Sequence, residues 1–160
     1  LGDVYKRQYD DIQGEDTAFL ILGGSANHRK QAKDYHLENV KFLDTTSDIS
    51  LIHKFLNTLN VYAHGRSDGE QCSSAIIEGL SHSLPMISHT AVSMGQLEQI
   101  GDAGVVVDGY EEYAQAMKNM MNNKNYYVDC KVNAEKRYRE IYDVQSIMKK
   151  FIELYKEVVS

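Results

Sequence analysis

The 160 residues carry a formal net charge of −6, with 42% hydrophobic and 25% charged side chains, the composition of a soluble globular domain with room for one core. The acidic balance, with no local Lys/Arg cluster to offset it, excludes a nucleic-acid surface. Apolar runs such as Ala18 to Leu22 are far too short to span a bilayer, and the isolated Cys72 and Cys130 read as reduced thiols of a cytosolic protein.

The opening, Leu1 to Gln8, resembles translated sequencing-adapter read-through. Residues 1–16 are therefore set apart as a foreign or disordered segment, and the folded part is expected over 17–160. After Asp16, short apolar runs alternate with amphipathic segments. Ala18 to Leu22 is continuously apolar and stops at Gly23-Gly24, the pattern of a strand buried on both faces. A polar helix follows through Ala32 and Leu37, then a strand over Val40 to Leu43. Ile49, Ile52, Phe55, Leu56 and Leu59 recur at helical spacing, with Ser47 or Asp48 as N-cap.

Val61 to Ala63 predicts a third strand, Ser74 to His82 a helix, and Pro85 to Ser88 a strand whose first position tolerates proline. Gly104 to Val107 is the last strand. The remainder reads as helical, with core-facing stripes at Tyr113, Ala114, Met117, Met120 and Met121 and at Ile147, Phe151, Leu154, Tyr155 and Val158. Strands alternating with helices predict an α/β fold with a doubly wound, Rossmann-like parallel sheet, whose ligands sit beyond the C-terminal strand ends.

At that edge the stretch from Glu70 through Gln71, Cys72, Ser73 and Ser74 to Glu78 places two carboxylates eight positions apart across a strand-to-helix junction. Helical side chains lean towards the N-terminus, so Glu78 tilts back towards the loop of Glu70. Two acceptor-only groups beside the free amides of a helix N-terminus suit a ligand that is half polyol and half diphosphate. A nucleotide sugar is such a ligand. The plainer readings are an acid favoured by the helix dipole at Glu78, a loop acid at Glu70, and simple N-caps at Ser73 and Ser74.

Five pieces in order resemble the C-terminal lobe of a family 4 glycosyltransferase of the GT-B fold: Phe19 to Gly24, Asn39 to Asp44, the Glu-x7-Glu signature from Glu70 to Glu78, Leu84 to Ser88, and Gly104 to Val107. The resemblance covers roughly 140 residues. It implies that Glu70 is catalytic and binds hydroxyls of the transferred sugar, that Glu78 holds the ribose, and that amides from Gln71 to Ser74 meet the diphosphate. The backbone from Phe42 to Asp44, Leu43 included, would edge the base. It further implies transfer with retention, no cofactor and no metal, an acceptor that is a glycan, lipid or small molecule, and a cytoplasmic or peripheral inner-membrane setting.

Cys72 and Ser73 stand where the signature usually has an aromatic residue and a glycine. The lobe's first strand, its glycine turn with Arg and Lys, and the acceptor-binding N-terminal lobe have no counterpart here. The chain thus reads as truncated on its N-terminal side and inactive alone. In the strand order 3-2-1-4-5-6 the missing strand is central. The expectation is either instability or repair of the gap by pairing Ala18–Leu22 with Val61–Ala63.

Alternative readings are a nucleotide-sugar epimerase of the same fold and a non-catalytic nucleotide-binding module. Gly23 to His28 lacks the G-x-G-x-x-G turn of a dinucleotide site. Arg66 reads as a solvated loop residue or a diphosphate contact, and His64 as a core or cleft residue. The six histidines show no metal-ligand spacing, and Cys72 lacks a base partner.

Overall fold

The computed structural model describes residues 16–65, 71–90 and 95–159. Strands β1 (Phe19–Leu22) and β2 (Val40–Leu43) form a parallel pair, with Phe19 opposite Val40 and Leu22 opposite Leu43. Between them runs α1 (Ala26–Asp34), which opens on a capping box. The Ser25 hydroxyl accepts from the His28 amide, and His28 Nδ1 accepts from the Ser25 amide at 3.0 Å. This satisfies two groups that a helix start leaves open. Helix α2 (Ile49–Thr58) begins on Asp48, whose carboxylate accepts the Ser50 amide at 2.8 Å. Hydrogen bonds from Ser50 hold that carboxyl below its ordinary range. Of the two N-caps expected, Asp48 fills the position.

The second sheet is β3 (Tyr62–His64), β4 (Met86–His89) and β5 (Gly104–Val107), parallel throughout and ordered β3-β4-β5. Around it lie α3 (Ser74–Ser81), α4 (Gly95–Ile100), α5 (Tyr110–Asn122), α6 (Lys124–Arg137) and α7 (Val144–Val159). One apolar cluster joins Leu56, Ile76, Leu80, Met86, Ile100 and Ala134, and a second joins Ile87, Tyr113, Met117, Met120 and Cys130. Tyr113 is fully buried because its hydroxyl donates to the Ile87 carbonyl at 3.1 Å, which removes the cost of an unsatisfied phenol.

Three expectations are corrected. Strand β3 runs to His64 rather than ending at Ala63. Met121, placed in the core-facing stripe, is 47% exposed, because the buried arc of α5 takes only Tyr113, Ala114, Ala116, Met117 and Met120. The α7 stripe is amphipathic but buries nothing: Phe151, Leu154, Tyr155 and Val158 are all exposed. Helix α7 packs against the π-helical turn Tyr138–Tyr142 that precedes it, and Asp143 caps it by accepting the Gln145 and Ser146 amides.

The order within the two sheets is β2-β1 and β3-β4-β5. Among the described residues β1 does not pair with β3, so the expected repair of the gap is not formed. The five described strands are all parallel, as a doubly wound α/β fold requires.

Candidate functional site

The second sheet positions the start of α3 beyond the C-terminal end of β3. Ser73 is the N-cap residue and is buried, yet its hydroxyl makes no capping bond. Its backbone is held instead by Gln99 of α4. The Ser73 amide donates to Gln99 Oε1 at 2.7 Å, and Gln99 Nε2 donates back to the Ser73 carbonyl at 3.2 Å. The same nitrogen lies 3.5 Å from Cys72 Sγ. Gln99 is itself anchored, because Arg137 Nε donates to its carbonyl at 2.6 Å and Arg137 also reaches the Glu98 carbonyl.

This geometry corrects one element of the expected anion site. The Ser73 amide is already satisfied and cannot meet a ligand. The amides that remain open are those of Ser74 and Ala75; the Ile76 amide also lies ahead of the ladder, which resumes with the Ile77 amide on the Ser73 carbonyl, but Ile76 is fully buried. They provide the donors and the positive end of the helix dipole.

Glu78 lies on the second turn of α3, exposed, and lines the cavity between the two sheets. It is thus not a first-turn dipole acid. Gln71 and Cys72 are exposed just before the helix, as is Ser74 at its start. Glu70 and Arg66 lie outside the described residues.

On the first sheet, Phe42 and Leu43 sit at the C-terminal end of β2. The Leu43 carbonyl accepts the Gly23 amide at 2.9 Å, so that group belongs to the ladder rather than to a ligand. The Arg29 guanidinium lies 4.9 Å from the Phe42 ring centroid and 3.6 Å from the Asp44 carboxylate. The approach of the chain there is close: Gly24 has φ +94°, and a Cβ on it would stand 3.1 Å from the Phe42 ring. Glycine alone combines both conditions cheaply.

Sequence reasoning missed His89. It ends β4, is 3% exposed, and stacks on Tyr113 with ring centroids 4.4 Å apart. Burial pushes its pKa down, opposed by the charge of Asp108. The available signal was a histidine closing a strand at the ligand edge. His64, also buried, ends β3 in the same way. Among the described residues no group of three or more His, Cys, Asp or Glu could hold a metal ion, and no helix is long and apolar enough to cross a membrane.

The fold is a Rossmann-like α/β lobe, with the start of α3 at the C-terminal edge of its second sheet. The family model "Glycosyl transferases group 1" matches residues 4–137, and the chain belongs to that family. No curated protein matches the chain closely enough to report. Solved structures resemble it over nearly its whole length. Anabaena Alr3699/HepE superposes with a TM-score of 0.75 at 16% identity, over 98% of this chain and 45% of that one. The sucrose-phosphate synthase of Thermosynechococcus elongatus gives 0.74 at 16% identity, over 99% and 42%. TarM of S. aureus gives 0.76 at 20% identity, over 96% and 32%. The chain therefore spans less than half the length of these structures.

Proposed function

We propose that the chain is the donor-binding half of an enzyme that moves a sugar from a nucleoside diphosphate to an acceptor, with retention at the anomeric carbon. The observation that carries this reading is the start of α3, where the open amides of Ser74 and Ala75 stand one turn ahead of the Glu78 carboxylate. The amides would take the diphosphate and Glu78 the ribose hydroxyls. Phe42 and Asp44 would edge the base, and Glu70 would hold the hydroxyls of the transferred sugar.

Stabilising the departing diphosphate is the main chemical task. A helix N-terminus can serve it without a divalent cation, so the reading calls for none. Alr3699/HepE is described in complex with UDP-glucose, and TarM with UDP and alpha-GlcNAc-glycerol. Both support a UDP-sugar as the donor to try first. Free thiols at Cys72 and Cys130 suit a cytoplasmic setting. A second lobe would supply the acceptor site, so the 160 residues alone bind donor without turning it over.

The test is a titration of the chain with UDP, UDP-glucose, GDP, ADP and NAD, followed by backbone amide resonances. UDP ligands are expected to shift Ser74, Ala75, Ile76 and Phe42, and Glu78→Gln to weaken binding about tenfold. Preference for NAD, or shifts confined to other elements, overturns the reading.

A further inference from the structure

Helix α7 carries an apolar face that no described residue buries. Val144, Ile147, Phe151, Leu154 and Val158 recur at steps of three and four, the a and d spacing of a coiled-coil seam. Only the first turns of the helix are tied down. The Ser146 hydroxyl donates to the Arg139 carbonyl at 2.6 Å, and Lys150 Nζ donates to the Glu140 carbonyl at 3.2 Å. From Met148 to Val159 every residue is exposed, with Phe151 at 50% and Val158 at 76%. A contiguous exposed apolar face marks an interaction surface.

The charges beside the seam select what the face meets. With Phe151 at a and Leu154 at d, Lys150 and Glu157 both take g, on one flank of the seam. In an antiparallel pair of identical helices the two g flanks face each other. The register that sets Phe151 on Leu154 of the other copy also sets Ile147 on Val158 and, on the second flank, Met148 on Tyr155. That same register brings Lys150 opposite Glu157 twice, once for each copy. A parallel pair would instead put g against e, so Lys150 would meet Tyr155 and no opposite charge. The bond from Lys150 to the Glu140 carbonyl already holds its ammonium beside the seam. A bilayer surface fits less well, because Glu153 and Glu157 interrupt the lysines of the polar face and the chain carries a net charge of −6.

We propose that α7 is a self-association surface, through which two copies of the chain pair antiparallel as a two-fold dimer. One patch meets itself, as a closed isologous contact requires. The antiparallel order also leaves the bodies of the two copies at opposite ends of the helix pair. The contact is small, on the order of 1,000 Å² in total against about 1,600 Å² for a standard interface. The dimer is therefore weak, with a Kd on the order of tens of micromolar. No residue of α7 enters the donor reading, so either inference can fail without the other.

The test is sedimentation equilibrium of the 160-residue chain from about 5 to 500 µM, where the mass is expected to rise from one chain to two. Phe151→Asp places a charge in the seam and should leave monomer throughout. Lys150→Glu sets like charges opposite each other and should weaken the dimer about tenfold. Adding Glu157→Lys to that variant restores opposite signs, and the affinity should return to within about threefold of the parent. A parent chain that stays monomeric at every concentration overturns the proposal. So does a dimer indifferent to Phe151→Asp, or a charge swap that fails to restore affinity. Binding of a monomer to vesicles of phosphatidylcholine and phosphatidylserine, with no dimer formed, assigns the face to a membrane and overturns it as well.

Discussion

Gln99 holds Ser73 by both of its backbone groups, and through Ser73 it sets where α3 begins. The amide-to-Oε1 bond of 2.7 Å and the return bond of 3.2 Å to the carbonyl are both buried. Gln99→Leu strands the Ser73 amide in an apolar setting and leaves its carbonyl only the Ile77 amide as a donor. The expected loss of stability is about 1–3 kcal/mol, read from urea unfolding. Nucleotide affinity should fall as well, because the open amides of α3 lose their anchor. Gln99→Glu keeps the acceptor but not the donor, so it should retain more stability than the leucine variant. Equal stability of all three proteins would remove Gln99 from this role.

Gly104 is fixed by a close approach rather than by strain. A Cβ there would lie 1.9 Å from the Met86 carbonyl oxygen, a backbone atom that cannot swing away. Gly104→Ala therefore has to part β4 from β5 in the centre of the second sheet. The expected cost is about 3 kcal/mol or more, in the range of severe overpacking. A thermal midpoint within a degree or two of the parent protein would contradict the stated geometry.

Acid should destabilise the fold in a defined window. His53 Nδ1 lies 2.7 Å from His82 Nε2, and His82 Nδ1 lies 2.9 Å from Asn57 Oδ1. With Asn57 accepting from Nδ1, His82 is neutral and accepts from His53. Burial lowers its pKa first, His53 lowers it further, and Glu78 works against both. His89 is lowered by burial too. Both folded-state values lie below the ordinary 6.5, so the unfolded chain binds more protons in between. Stability is then full above about pH 6.5, falls as pH drops below it, and levels off once both sites are protonated. His82→Asn should flatten part of that slope, measured by melting temperatures from pH 8 to 5. A slope unchanged by this substitution would assign the pH effect elsewhere.

The two thiols should differ sharply in reactivity. Cys72 is exposed beside the start of α3, whereas Cys130 is 2% exposed and its pKa is raised by burial. Tyr126, against Cys130, is itself pushed up to about 12 by burial. Because the thiolate is the reacting form, iodoacetamide should label Cys72 first and leave Cys130 largely intact in the folded chain. Saturating UDP should slow the labelling of Cys72 if the diphosphate sits on the adjacent amides. Labelling of Cys72 that is indifferent to nucleotides would place the ligand elsewhere.

Much of the architecture was legible from the chain alone, because local patterns decide local elements. A continuous apolar run ending at Gly23 marked β1, the run from Gly104 to Val107 marked β5, and the step of three and four residues from Ile49 to Leu59 marked α2. The family-specific order of motifs identified a group 1 glycosyltransferase lobe, and the family match bears this out. Helix α6 lies in the remainder that reads as helical, but its weak amphipathic periodicity gave no core stripe, yet it buries Cys130 and Ala134.

What the sequence could not decide were relations between residues far apart in it. The Gln99 grip on Ser73 joins positions 26 residues apart, and no spacing rule announces such a bond. The same holds for His89 against Tyr113, and for the exposed stripe of α7, whose periodicity reads as core although none of the described residues buries it. Periodicity states which face of an element is apolar. Only the packed chain states whether another surface is there to meet it, and between β1 and β3 none of the described strands is.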